Sequence, residues 1–198
     1  SCPPRADEHV FEKHTTHFSA ADAAGNWVAC TSTINTSYGS KVVVPGMGVV
    51  LNNEMDDFAA EAGAPNAFGL VGADANLPAP GKRPLSSMSP TLVFEGDRPV
   101  LAVGAAGGPT IITQTLLALL HILDEGDSPA QALARPRFHQ QWSPDELRIE
   151  KAMPAEARED LRRRGHVLKE VDAIGSTQAV AQPAKDGPFV GAHDPRSK

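Results

Sequence analysis

The segment from Thr110 to Asp124 constrains this chain more than any other. Ile111, Ile112, Leu116, Leu119, Leu120 and Leu123 spread over more than one stripe of a helix, so the spacing predicts a helix buried on most sides. The rest of the chain supplies strands to pack on it. His17 to Ala21 and Trp27 to Asn35 flank the turn Asp22-Ala-Ala-Gly25-Asn26, a hairpin signature. Val42 to Val44 and Val49 to Leu51 are short β-branched runs around Pro45-Gly46. Thr91 to Glu95 and Val100 to Gly104 flank Gly96-Asp97 as a second hairpin. Leu147 to Glu150, Thr177 to Gln182 and Phe189 to Ala192 complete the predicted strands, the last two joined through Asp186-Gly187. Ser128, Pro129 and Gln131 open a short helix, and Pro154 to Arg164 reads as an amphipathic helix ending at Gly165. Strands outnumber helices and the helices come in the middle. That order points to an α+β layered sandwich rather than a regular alternation of strand and helix.

The chain has 198 residues, enough for one domain or one part of a larger enzyme. Its formal charge is −6, and the one dense basic run, Arg162-Arg163-Arg164, closes a predicted helix, where it answers the helix dipole. No nucleic-acid partner is expected. Cys2 and Cys30 make no metal or redox spacing, and the seven histidines are dispersed, so neither a metal nor another cofactor is expected. The longest apolar stretch, Thr113 to Leu123, contains Gln114 and His121 and is too short to span a membrane. Residues 1–14 are polar, read as an extended tail rather than a signal peptide, and lack a starting Met, as in a processed product or an expressed piece.

Four stretches offer chemistry, each with an ordinary alternative. Thr15-Thr16-His17 opens a strand. A threonine hydroxyl is a weak nucleophile until a base takes its proton. If the chain is cut before Thr15, the new α-amino group, with an ordinary pKa of about 7.7–8.0, can be that base. Asn52-Asn53-Glu54-Met55-Asp56-Asp57 gathers amides and carboxylates that can hold an ammonium, or form a solvated acidic turn. Ser86 and Ser87, inside Lys82 to Pro90, can grip a carboxylate, or sit in a plain polar loop. Gly104-Ala-Ala-Gly107-Gly108-Pro109 precedes the long helix. Its backbone N–H groups and the helix N-terminus can form an oxyanion hole, a phosphate loop or a simple turn. Pro109 has no N–H to give. The Gly- and Pro-rich segment from Ala60 to Pro90 is long enough to be functional or disordered in its own right.

The order and wording of these stretches carry a resemblance. Thr15-Thr-His-Phe-Ser, Leu51-Asn-Asn-Glu-Met-Asp-Asp-Phe, Pro65-Asn-Ala-Phe-Gly-Leu-Val-Gly, Lys82-Arg-Pro-Leu-Ser-Ser-Met-Ser-Pro and Pro136-Arg-Phe-His-Gln-Gln-Trp resemble the small subunit of gamma-glutamyltransferases. Pro144-Asp-Glu-Leu-Arg, Gly175-Ser-Thr-Gln and Asp194-Pro-Arg extend the likeness, which covers nearly everything from Thr15 onward. The resemblance implies a four-layer αββα sandwich of the N-terminal-nucleophile hydrolase type. It implies a precursor that cuts itself before Thr15. Residues 1–14 would then be a pre-cleavage tail from the large-subunit side, and residues 15–198 the small-subunit catalytic domain.

By the same resemblance Thr15 is the nucleophile and Thr33 orients it. Asn35, Glu54 and Asp57 hold the α-amino end of a γ-glutamyl group, and Ser86 and Ser87 hold its α-carboxylate. Gly107 and Gly108 form the oxyanion hole, and Phe68 belongs to a lid loop. The implied partners are a large subunit, which in the family adds an arginine to the carboxylate site, glutathione or another γ-glutamyl donor, and an amino-acid or peptide acceptor. The implied setting is periplasmic or extracellular. The chain departs from the family pattern at Glu54, where Gln is frequent, and at Pro109-Thr110, which replaces a more usual Ser-Arg and is expected to alter the mouth of the site. As written Thr15 has no free amine, and the chain stops soon after Asp194-Pro-Arg196. Two other functions compete: a glutaryl or cephalosporin acylase, which needs no ammonium site, and an inert remnant.

Overall fold

The computed structural model describes residues 15–197; the tail expected over 1–14, with Cys2, lies outside them. Thr15–Ala21 (β1) and Trp27–Thr33 (β2) pair antiparallel, from Thr15↔Thr33 to Ala21↔Trp27. Their turn is held by Asp22, whose carboxylate accepts the amides of Ala24 and Asn26, each at 2.9 Å. The expected runs at Val42 and Val49 form only an isolated bridge, Val43↔Val50. Thr91–Glu95 (β3) and Arg98–Ala106 (β4) make the second hairpin, followed by Thr110–Leu123 (α1) and Pro129–Ala134 (α2). Ser128 and Gln131 close a capping box on α2, a device worth about 1 kcal/mol. Then come Phe138–His139 (β5), Leu147–Glu150 (β6), Ala155–Arg163 (α3), Leu168–Val171 (β7), Ser176–Ala181 (β8) and Val190–His193 (β9).

The sheet β3-β4-β8-β9 is the centre of the molecule. Side chains alternate along β4. Leu101 and Val103 point to the helices, where they form a core with Ala118, Leu133, Ala179 and Ala181. Ala102, Gly104 and Ala106 take the other face, where the β1–β2 hairpin stacks. These small residues let the two sheets approach closely. A Cβ at Gly104 would collide with the His17 imidazole, so glycine is needed there. A smaller sheet, β5-β6-β7, stands to one side, with β6 and β7 parallel and joined through α3. In α3 the basic run bonds to acids: Arg163 and Arg164 reach Asp160 at 2.7 and 2.6 Å, and Arg162 reaches Glu170 at 3.4 Å.

The elements are locked together by a buried charge cluster. Arg137 meets Asp194 at 2.6 Å, and Arg196 meets Glu150 with two nitrogens, each at 2.6 Å. Arg137, Glu150 and Asp194 are at most 3% exposed. Buried charges are tolerated only when their remaining polar atoms are satisfied. Glu150 also accepts the amides of Arg137 and Ile174, and Asp194 those of Thr177 and Arg196. The motifs at Pro136-Arg137 and Asp194-Pro-Arg196 thus form one structural lock.

One expectation is corrected. Helix α1 is not buried on most sides. It lies on the sheet through Ile111, Gln114, Thr115, Leu117 and Ala118, but Ile112, Leu116, Leu120 and Leu123 are 41–54% exposed along its far stripe. The outer face of the hairpin, with Phe18 and Val28, is also exposed. Nothing among the described residues covers either surface. The chain therefore supplies helix, sheet and hairpin of the αββα sandwich, and the second helical layer is not among the described residues. No helix in this set is long and apolar enough to cross a membrane.

His17 links this packing to pH. Its ring sits between the Thr31 hydroxyl at 2.8 Å and the Ser19 hydroxyl at 2.9 Å, and burial lowers its pKa to about 4. A folded value below the ordinary 6.5 means that stability is full above about pH 6.5 and is lost as pH falls toward 4. Urea denaturation should therefore show a lower midpoint at about pH 5 than at about pH 7.5. Comparing wild type with His17→Gln cancels the other titrating groups, and the drop should shrink in the variant. An equal drop in both proteins contradicts this role.

Candidate active site

The register of the first hairpin sets Thr15 directly across from Thr33. The Thr15 hydroxyl donates to Thr33 Oγ1 at 3.1 Å, and Thr33 Oγ1 also accepts the Asn35 amide at 2.9 Å. Asn35 is buried and turns the chain with a φ of 77°, a left-handed conformation that asparagine tolerates better than most residues. Its side chain donates to the Asn53 carbonyl at 3.1 Å and bonds to Asp57.

Glu54–Asp57 is a single turn of 3-10 helix. Its pitch places residues three apart on one side, so Glu54 and Asp57 face each other. Burial, then the charge of Asp57, pushes the Glu54 carboxyl up to about 7. Burial also raises Asp57, against hydrogen bonds from Glu54 and Asn35 that lower it. Two carboxyls bonded to each other in a partly dry site share a proton until a cation arrives.

The long Gly- and Pro-rich segment folds over this pair. Asn66 Oδ1 accepts the amides of Phe68 and Leu70, each at 3.0 Å, and so shapes the loop that carries Phe68. Asn76 joins the acidic turn to the serine loop: it donates to the Asp57 carbonyl at 2.9 Å and accepts the Leu85 amide at 3.0 Å. Ser86 and Ser87 follow, with the Ser86 hydroxyl accepting the Met88 amide at 3.2 Å.

On the opposite wall β4 runs into α1 through Gly107 and Gly108, whose φ angles of 142° and 57° favour glycine. The Phe68 ring lies 3.3 Å from where a Gly108 Cβ would stand, so the loop rests on the glycine backbone.

One pocket is lined by Thr15, Thr33, Asn35, Glu54, Asp57, Phe68, Ser86, Ser87 and Gly108. These residues come from six separate stretches of sequence. Gly107 lies one residue behind the lining. Pro109 does line the pocket, but Thr110 is turned inward, 4% exposed, beneath the loop rather than at its mouth. Sequence reasoning missed Asn66 and Asn76. The available signal was asparagine beside Gly and Pro, which marks side-chain-to-backbone turns. His121, Glu125 and Asp127 also approach one another, but Arg135 pairs with both carboxylates, at 3.1 and 2.8 Å.

Stacked sheets flanked by helices, with a threonine opening the strand that borders the pocket, define the class of N-terminal-nucleophile hydrolases. The chain belongs to the gamma-glutamyltranspeptidase family, whose model matches residues 4–198. A glutathione hydrolase proenzyme of Escherichia coli is 47% identical over 183 residues, covering 92% of this chain and 31% of that protein. The chain thus spans about a third of the length of this relative. The crystal structure of a gamma-glutamyltranspeptidase mutant from Helicobacter pylori matches with a TM-score of 0.88 at 46% identity, covering 92% of this chain and 100% of that one. A cephalosporin acylase from Bacillus halodurans is more distant, with a TM-score of 0.78 at 26% identity over 91% of this chain and 32% of that one.

The shared proton predicts a pH dependence for any cation bound here. An ammonium seated on the Glu54–Asp57 pair would expel that proton, so its binding should tighten as pH rises through about 7. The slope should reach at most about tenfold per pH unit, the limit for one proton released. Calorimetric titration of the assembled enzyme with L-glutamate at several pH values measures it. Glu54→Gln should flatten the profile between pH 6 and 8, and an unchanged profile contradicts the shared proton.

Proposed function

We propose that this chain is the nucleophile-bearing part of an enzyme that hydrolyses glutathione and related γ-glutamyl amides and transfers their γ-glutamyl group. The observation that carries this reading is a pocket that gathers the Thr15 hydroxyl, two carboxylates suited to an ammonium, and adjacent serines suited to a carboxylate. Family membership and the likeness to glutathione hydrolase proenzymes support the same reading.

The chemistry follows from the residues. Cleavage of the bond between His14 and Thr15 frees the Thr15 amine. That amine takes the proton of the Thr15 hydroxyl, whose orientation Thr33 sets. The oxygen adds to the amide carbonyl, and the negative charge forms beside Gly107 and Gly108. The C–N bond breaks, the proton passes to the leaving amine, and a threonyl γ-glutamyl ester remains. Water or the amine of an amino acid or peptide then attacks the ester and regenerates Thr15. A large subunit of the same precursor covers the exposed faces of α1 and the hairpin and completes the carboxylate grip. Its setting is periplasmic or extracellular.

A glutaryl substrate has no ammonium to bind, and a half-buried carboxylate pair would be a liability to an acylase of glutaryl amides. The test compares kcat/KM for γ-glutamyl and glutaryl anilides in wild type and Asp57→Asn, with the large subunit present. A charge-assisted hydrogen bond is worth roughly 1.5–3 kcal/mol. Asp57→Asn should therefore slow the γ-glutamyl substrate by on the order of tenfold to a hundredfold and leave the glutaryl substrate nearly unchanged. Equal loss on both substrates, or a wild type that prefers glutaryl, gives the site to the acylase reading.

A further inference from the structure

Gln114 is a buried carboxamide on the sheet-facing side of α1, 1% exposed. A carboxamide has two N–H donors and two acceptor lone pairs, and a dry interior requires that they be met. Here Nε2 donates to the Ala106 carbonyl at 3.1 Å and to Thr110 Oγ1 at 2.8 Å. Oε1 accepts from the Thr177 hydroxyl at 3.1 Å and from Arg137 at 3.4 Å, which ties it to the buried charge cluster. The two groups that accept from Nε2 bracket the loop: Ala106 stands before Gly107, and Thr110 stands after Pro109. Thr110 Oγ1 donates in turn to the Gly107 carbonyl at 2.7 Å.

These bonds fix two peptide planes. In a trans peptide the C=O and the following N–H point in opposite directions. Holding the Ala106 carbonyl therefore aims the Gly107 N–H, and holding the Gly107 carbonyl aims the Gly108 N–H. Both carbonyls are held from the helix side, so both N–H groups are turned away from it. Successive glycines need such a restraint, because a peptide between them can rotate and present its oxygen to the pocket instead. The carboxamide also fills the space that keeps the loop in place. A Cβ on Gly107 would stand 2.8 Å from Nε2, and one on Gly175 would collide with the carboxamide outright.

The geometry points to Gln114, with Thr110 as its relay, as the positioning residue that aims the Gly107 and Gly108 N–H groups at the oxyanion formed when Thr15 attacks. The inference rests on the reading of this pocket as a threonine amidohydrolase site. It also gives Thr110 a purpose where the family more usually has arginine: its hydroxyl supports the loop from beneath.

The test uses the assembled enzyme made from the full precursor, with Gln114→Met, Thr110→Val and Thr110→Ser. Rates are expressed per Thr15 reactive toward a covalent γ-glutamyl analogue, so that unfolded protein does not count. Three quantities are followed: kcat and KM for a γ-glutamyl anilide, inhibition by an amino acid carrying a boronic acid in place of the γ-amide, and binding of L-glutamate. Misaimed oxyanion donors should lower kcat and boronate affinity together, by roughly tenfold to a hundredfold. KM and L-glutamate affinity should stay within about twofold, since the ground state does not use these donors. Thr110→Ser keeps the hydroxyl and should keep wild-type kcat. If Gln114→Met does not fold, Thr110→Val decides, because it removes one hydroxyl and little volume. Variants that retain kcat and boronate affinity, or lose L-glutamate binding in parallel, overturn the inference alone. A wild type that neither turns over the anilide nor reacts at Thr15 overturns the underlying reading and the inference with it.

Discussion

The close approach of the first hairpin to the central sheet is the constraint on which the rest depends. It is possible because Gly104 has no side chain and His17 occupies the space. Thr15 lies two residues before His17 on the same face of β1, and Gly107 and Gly108 lie just beyond Gly104 on the continuation of β4. One contact between sheets therefore brings Thr15 and the glycine loop to the same pocket. The α1 side supplies the opposing support, since Gln114 and Thr110 hold the loop from the other face of the sheet.

The remaining wall of the pocket has little regular structure, and asparagines organise it. Asn35, Asn53, Asn66 and Asn76 each bond to backbone groups, doing the work that a strand or helix does elsewhere. This arrangement lets two carboxylates and two serines line one pocket from loops that are separated in sequence. It also leaves the Phe68 loop held by Asn66 within the loop and resting on Gly108.

Much of this was legible in the sequence because local rules and tertiary structure agree. Asp22 and Gly25 mark the first turn, Gly96-Asp97 the second, and Ser128-Pro-Ala-Gln131 the cap of α2. The pocket residues were legible only as ordered motifs; no single stretch distinguished Glu54 and Asp57 from a solvated turn. What escaped sequence reasoning has physical causes. Strand β7 carries Lys169 and Glu170 at its centre, so its two apolar residues are too few to show a period. The exposed stripe of α1 was misread because an apolar face looks the same whether this chain or another segment covers it. The charge cluster joins Arg137, Glu150, Asp194 and Arg196 across 59 sequence positions, a pairing that no local pattern reveals. Gln114 showed only as a polar interruption of an apolar run, although a buried amide in such a helix always needs partners.

The proposed mechanism requires Thr15 to become a chain terminus and attack with its own amine as base. Intact-mass analysis of the full precursor, wild type against Thr15→Ala, tests it most directly. Wild type should split between His14 and Thr15 and yield a chain that begins at Thr15, while Thr15→Ala stays whole. Cleavage to the same extent in both proteins would contradict the account.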